Sequence, residues 1–116
     1  MNTPNLVQEI NQLHANICGA LADPSRILIL YLLSEGPLNV NTLVDKLNFP
    51  QPTVSRHLKV LRERGLVTAE RDGQSVYYNL ADNRVIQALD LLRTVLGERL
   101  SKQATLAYSV IRDYQN

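Results

Sequence analysis

The side chains best suited to bind an anion or a nucleobase lie together in Gln51–Gly65, whose sequence is QPTVSRHLKVLRERG. Five basic or imidazole side chains stand there against one acid. The stretch begins with Gln, Thr and Ser, whose short polar groups allow close approach to a ligand. Gln pairs bidentately with adenine, Arg pairs with guanine, and the Thr methyl can contact thymine. These residue types therefore suit hydrogen bonds to DNA base edges, with the remaining cations available to phosphates.

The spacing of the same residues predicts a helix with one buried and one exposed face. Val54, Leu58 and Leu61 share a face and must pack inward. A helix in the major groove reads bases mainly with its N-terminal residues, while its other polar groups bind phosphates. His57 flanks the buried face, and we expect it either to pack beneath the helix or to reach a phosphate. The predicted base-edge contacts are Gln51, Thr53, Ser55 and Arg56, and the predicted phosphate contacts are Lys59, Arg62 and Arg71.

Three further predicted helices precede this one and must position it. Asp23 can cap the second helix, with Pro24 at the first helical position, and Asn39 or Asn41 can cap the third. Gly65 ends the fourth. The second helix is apolar over most of its length, and its predicted core is Ile27, Leu28, Leu30, Tyr31 and Leu32. The predicted ranges are Leu6–Leu21, a helix from Asp23 to about Ser34, a short helix through Leu43, Val44 and Leu47, and Gln51–Arg64.

A β-hairpin is predicted directly after the fourth helix. The segments Leu66–Arg71 and Ser75–Leu80 flank Asp72-Gly73, a strong hairpin turn signal. Arg71 and Gln74 flank this turn, where an Arg can reach a minor groove or the DNA backbone. Both are therefore further candidate DNA contacts, and their alternative role is that of solvated turn residues.

The last predicted helix, residues 83–116, is too long for the body of so small a domain. Its apolar stripe repeats at the spacing of a helix that pairs with another helix. We therefore expect it to pair with a second copy of the chain. The stripe consists of Val85, Leu89, Leu92, Leu96 and Leu100.

Composition restricts the class of protein. The chain has 116 residues, of which 45% are hydrophobic and 20% charged, as in a globular protein of one domain. Residues 51–74 hold five basic and three acidic side chains, so a local net charge of +2 surrounds the polar helix. The single cysteine, the lack of a signal pattern and the short apolar runs predict a cytoplasmic protein without a membrane partner. The chain has two histidines and one cysteine, and it has no Gly-rich phosphate loop. No catalytic set can be assembled from these residues, so no enzyme is predicted.

Three motifs resemble the ArsR/SmtB family of bacterial winged-helix repressors. "ALADPSRILIL" resembles the entry to that family's second helix, "QPTVSRHLKVLRERGLV" its recognition helix, and "RDGQSVYYNL" its wing. The resemblance covers about Ala20–Leu80, and the last helix fits the family's dimerisation helix by position and length. It implies a homodimer that binds a partly palindromic double-stranded operator as a transcriptional repressor and leaves it when an inducer binds.

The fold expected from the pattern and the resemblance is mostly α with a two-stranded β wing. It is a winged helix-turn-helix, a homodimer through its terminal helices. One domain is predicted over 1–116, with residues 1–21 and 83–116 for dimerisation, 39–64 as the helix-turn-helix and 66–80 as the wing. The alternative is a winged helix whose polar helix faces a protein partner and shows no specific DNA binding.

This chain departs from the family at the inducer sites that the resemblance implies. Many members hold a soft metal with a cysteine pair in the third helix, but PLNVNTLVDKL contains no cysteine. Others bind zinc, nickel or cobalt along the last helix, where Asp82 and Glu98 fit but Arg84 and Val95 replace the expected histidines. We therefore expect both metal sites to be absent and predict no cofactor.

His14 and Cys18 are one turn apart on the first helix and form a separate candidate inducer site. Across a dimer they could supply two Cys and two His to a metal such as zinc. Cys18 could instead be oxidised or bridge to its partner. The simpler alternative is that Cys18 is a small buried hydrophobe and His14 a surface residue.

Overall fold

The computed structural model describes residues 3–115, and side chains from 5 to 113. The order of elements confirms a helical part followed by a hairpin and a long last helix, and the fold is a winged helix-turn-helix. The predicted first helix, Leu6–Leu21, is not continuous, because a π-helical turn interrupts it. Its bounds are α1 (Thr3–Leu13), a π-helical turn (His14–Cys18), α2 (Gly19–Leu21), α3 (Pro24–Leu33), β1 (Leu38–Asn39), α4 (Val40–Leu47), α5 (Gln51–Glu63), β2 (Val67–Asp72), β3 (Ser75–Leu80) and α6 (Arg84–Gln115).

The helix α3 begins where local chemistry predicts and buries a different face from the predicted one. Asp23 caps it by accepting a 2.8 Å hydrogen bond from the Ser25 N–H, and this bond lowers the pKa of the Asp23 carboxyl. Leu28, a predicted core residue, is 50% exposed, whereas Ile29 is fully buried. The prediction for Leu28 is wrong because the helix is apolar on every side, so its spacing cannot select the inward face. The buried residues of α3 are Ile29, Leu30 and Leu33.

The helix-turn-helix consists of α4, a short turn and α5. Asn39 caps α4 by accepting a 2.9 Å hydrogen bond from the Thr42 N–H. Asn48 ends α4 in the left-handed conformation, which Asn tolerates better than most residues. At the end of α5, Gly65 adopts φ +75°. The Gly65 and Leu66 N–H groups then bond the Arg62 and Leu61 carbonyls at 3.0 and 2.9 Å, the paired bonds of a Schellman motif.

The wing contains a third strand that the sequence pattern did not predict. β2 and β3 pair antiparallel, and the two-residue β1 pairs with the outer edge of β3, giving the sheet order β1-β3-β2. Asp72 pairs with Ser75, so the hairpin loop is Gly73–Gln74 and not the predicted Asp72-Gly73. Gly73 alone of the two loop residues has a positive φ, +64°, as in a type II′ turn. Asp72 is therefore the last residue of a strand.

The N-terminal helical segment is interrupted by the π-helical turn. It is hydrogen-bonded to α3, which belongs to the same unit, Met1–Asn83. Arg26 of α3 donates from Nε to the Ala20 carbonyl at 2.6 Å and from Nη2 to the Gly19 carbonyl at 3.2 Å. These bonds satisfy carbonyl groups at a helix end, which otherwise lack a partner. The α1 residues Leu6, Val7, Ile10 and Leu13 are each 44–52% exposed.

The second unit, Arg84–Asn116, contains the helix α6 (Arg84–Gln115), which has 32 residues and is about 48 Å long. Leu92, Leu96 and Leu100 of the predicted stripe are 53–64% exposed. Because the contacts divide the chain into two units, the single domain over 1–116 stays a prediction. Within residues 3–115 no single helix could cross a membrane; Asn5–Leu21 and Pro24–Leu33 pass the length and composition test only together, across an 83° bend.

Candidate nucleic-acid interface

The inward face of α5 is packed as its spacing predicts. Val54, Leu58 and Leu61 are at most 1% exposed, and they meet the buried residues of α3 and α4 in one apolar core. Side chains in such a core have few alternative rotamers because interiors are densely packed. The core therefore fixes the rotation of α5 about its own axis, and with it the residues that α5 presents outward.

The outward face of α5 carries the residues predicted to bind DNA. Gln51, Arg56, Lys59 and Arg62 are exposed, and Thr53 and Ser55 are half-buried. Pro50, which precedes the helix, provides no side-chain cap. The Thr53 and Val54 N–H groups bond the Pro50 carbonyl at 3.0 and 3.2 Å, so the first turn of α5 offers a ligand mainly its side chains.

Two of the predicted base-edge contacts bond each other. Gln51 Nε2 donates a 2.9 Å hydrogen bond to Ser55 Oγ, one helical turn along α5. This arrangement is not apparent from the residue types alone, although the i, i+4 spacing permits it. It places the Gln51 carboxamide against Ser55 Oγ at the start of the helix.

The cations of this surface are free to bind phosphate. Among the side chains described (5–113), none of Arg56, Lys59, Arg62 and Arg71 forms an ion pair with a carboxylate. Arg64 differs, because its Nη1 donates to Asn16 Oδ1 at 3.0 Å and ties the end of α5 to the π-helical turn. Arg64 therefore has a structural role. The sequence pattern could not predict this bond, because Arg64 and Asn16 are far apart in the chain.

His57 lies beneath the helix and not on its binding face. It is 7% exposed, and its Nδ1 has no hydrogen-bond partner in the part of the chain that the structure describes. Burial lowers its pKa, and the charges of Arg26 and Arg56 act in the same direction, while Asp23 opposes them. Of its two predicted roles the structure supports packing, so His57 offers no side chain to a phosphate.

The wing turn lies beside the start of α4. Arg71 and Gln74 are both exposed at the hairpin. Gln74 also lines a cavity of about 170 Å³ together with Asn39 and Asn41. Asn41 is exposed, and the sequence pattern indicates for it only a role as a helix cap. Its place beside the wing follows from the fold alone.

His14 and Cys18 are both exposed in the π-helical turn. Cys18 is exposed in the single chain, and its burial between two chains of a dimer stays a prediction. Among the described residues no group of three or more His, Cys, Asp or Glu side chains could hold a metal ion. The predicted metal site, with His14 and Cys18 supplied by both chains of a dimer, stays a prediction.

Comparison with known proteins gives one family. The model of the "Bacterial regulatory protein, arsR family" matches residues 23–69. The HTH-type transcriptional repressor SmtB of Mycobacterium tuberculosis is 46% identical over 78 residues, which cover 67% of this chain and 58% of the relative. An HTH-type transcriptional regulator of Methanocaldococcus jannaschii is 40% identical over 79 residues, covering 67% of this chain and 89% of the relative. The match therefore spans less than two thirds of the SmtB repressor's own length.

A solved structure extends the likeness to the three-dimensional fold. It is the solution structure of the homodimeric winged helix-turn-helix DNA-binding domain of a possible ArsR-family regulator from Mycobacterium bovis. It superimposes with a TM-score of 0.73 at 30% identity, covering 85% of this chain and 91% of that one.

Proposed function

The chain belongs to the arsR family of bacterial regulatory proteins, and from this premise we propose that it is a sequence-specific DNA-binding transcriptional repressor. Double-stranded operator DNA is its ligand, and the cytoplasm is where it acts. In this proposal α5 is the recognition helix, and the hairpin β2–β3 is the wing that contacts the adjacent backbone or minor groove.

The observation that carries the proposal is the division of α5 into two faces. Val54, Leu58 and Leu61 are buried and orient the helix, while Arg56 and Lys59 are exposed and, among the described side chains, have no carboxylate partner. A helix with a solvated structural face commonly carries acids and bases that pair along it. Here the cations are left unpaired beside short polar groups, which is what phosphates and base edges require.

We propose that the active form is a homodimer joined through α1 and α6. Each of these helices exposes apolar side chains: Leu6 and Ile10 on α1, Leu92 and Leu96 on α6, all at 44–64% exposure. Two recognition helices in a twofold dimer would contact half-sites about 34 Å apart, one turn of DNA. We therefore expect a partly palindromic operator. Leu96→Glu should give a monomer in sedimentation equilibrium and lose specific binding, whereas Arg93→Glu, also on α6, should remain a dimer.

In this proposal, a metal or an oxidant that releases the protein from its operator acts at His14 and Cys18. Both side chains are accessible, and the π-helical turn that carries them is bonded through Asn16 to Arg64 at the end of the recognition helix. A change in this turn could therefore move α5. Zinc, arsenite or an oxidant should weaken operator binding by the wild type and have no effect on Cys18→Ser; release that persists in Cys18→Ser would contradict this site.

The test of the function is binding to the promoter region upstream of the protein's own gene. Fluorescence anisotropy of a labelled duplex would be measured against salt concentration, with unrelated duplex as competitor. We expect tight, salt-sensitive binding that the competitor does not abolish. Because the operator could lie elsewhere, a selection from randomised duplexes accompanies this assay. Failure to enrich any sequence would overturn the proposal and leave the protein-interaction module as the explanation.

A further inference from the structure

We propose that Ser55 is a positioning residue that fixes the Gln51 carboxamide so that Gln51 reads adenine. The inference rests on the proposed function, because it assigns a base preference to one contact of the recognition helix. It replaces the predicted direct contact of Ser55 with a base by an indirect one.

The geometry places the two side chains in a fixed relation. Gln51 Nε2 donates to Ser55 Oγ at 2.9 Å, across one turn of α5. Ser55 is half-buried and stands next to Val54, which is fully buried, so the backbone that carries Ser55 is held by the core. Gln51 is exposed in the first turn. Ser55 thus orients the exposed side chain of Gln51.

The bond determines which hydrogen-bonding groups Gln51 has left. A carboxamide has two N–H donors and one carbonyl acceptor. With one N–H bound to Ser55, one donor and the acceptor remain. Adenine presents the complementary pair in the major groove, because N7 accepts and the N6 amino group donates.

The same bond disfavours guanine. Guanine presents two acceptors, N7 and O6, in the major groove. A free carboxamide could direct both N–H groups at them, but the orientation fixed by Ser55 leaves one donor and sets the carbonyl against O6. Ser55 also limits the rotamers of Gln51 before binding, so less conformational entropy is lost when the contact forms.

The experiment compares base preferences selected from a randomised duplex library by wild type, Gln51→Ala, Ser55→Ala and Ser55→Thr. We expect wild type to select adenine at one position of each half-site. Ser55→Ala and Gln51→Ala should weaken the preference at that same position. The loss for Ser55→Ala should be about two- to tenfold, the range of one net hydrogen bond. Ser55→Thr keeps the hydroxyl and should keep the preference.

A second measurement separates positioning from a structural effect. The selected adenine is replaced by 7-deazaadenine, which has no N7 acceptor. Binding by wild type should weaken, and binding by Gln51→Ala should not change further. The double variant Gln51→Ala, Ser55→Ala should lose no more than Gln51→Ala alone, and the salt dependence of all variants should equal that of wild type.

Each contrary outcome has a separate meaning. If wild type selects no sequence, the proposed function fails. If it selects a site but Ser55→Ala changes another position, or adds its full loss to that of Gln51→Ala, then Ser55 contacts a base itself and the inference fails. Unchanged preference in Ser55→Ala, or a preferred base other than adenine at the Gln51 position, also overturns it.

Discussion

Replacing Lys59 by Ala should make DNA binding less sensitive to salt without changing which sequence is preferred. Lys59, Arg62 and Arg71 are the three exposed cations assigned to phosphates in each chain. A dimer would make about six such contacts, and each contributes about −0.9 to the slope of log affinity against log salt, giving a slope of about −5.4. Lys59→Ala removes two of the six contacts and should reduce the slope to about −3.6.

The difference is large enough to measure directly. Between 50 and 200 mM salt, wild-type affinity should fall about a thousandfold and that of Lys59→Ala about a hundredfold. Fluorescence anisotropy on the selected duplex and on unrelated DNA gives both slopes. Lys102→Ala is the matched control, because it removes the same charge from an exposed position on α6.

Three results would refute the assignment of Lys59 to a phosphate. An unchanged slope for Lys59→Ala would mean that the ammonium group releases no counterion on binding. An equal change for Lys102→Ala would show that net charge, and not a contact made by α5, sets the salt dependence. A loss confined to the selected sequence would instead move Lys59 to the base-edge contacts.

Three further predictions concern recognition and stability. Arg56→Ala should weaken binding by about 1–3 kcal/mol and relax the preference at one base pair, as competition with single-substitution duplexes would show; equal loss on every duplex would exclude a base contact. Because burial lowers the pKa of His57, the unfolded chain takes up a proton first as the pH falls. The free energy of unfolding in urea should therefore be highest above about pH 6.5 and fall below it, by at most ~1.4 kcal/mol per pH unit, and His57→Leu should lose this dependence. Asn39→Ala removes the cap of α4 and should lower the free energy of unfolding by about 0.5–2 kcal/mol, while Asn41→Ala, which removes no cap, should lower it by less.

The inward face of α5 could be predicted from residue type and spacing. The helix begins with Gln, Thr, Ser and Arg and carries an apolar stripe, and both features are local patterns. In the structure the stripe, Val54, Leu58 and Leu61, faces inward. The roles of the individual site residues in DNA binding stay predictions. What the pattern could not reveal are contacts between distant segments, such as Arg64 with Asn16 and the third strand β1 at the edge of the wing.

The sequence by itself determined where α3 and α4 begin, where α5 ends, and the order of the long helices and of the strands β2 and β3. Asp23 and Asn39 cap helices, and Gly65 and Gly73 allow the left-handed backbone that ends α5 and turns the hairpin. These choices depend on groups within a few residues, so they can be read without the fold.

Only the tertiary structure decided which apolar side chains face inward and which polar ones remain available. The run of α3 is apolar on all sides, and its neighbours determine that Ile29 is buried and Leu28 exposed. They also determine that His57 is buried beneath α5 while Cys18 is exposed. The physical reason is that burial depends on the summed packing of segments distant in the chain, to which the residue type adds only a preference.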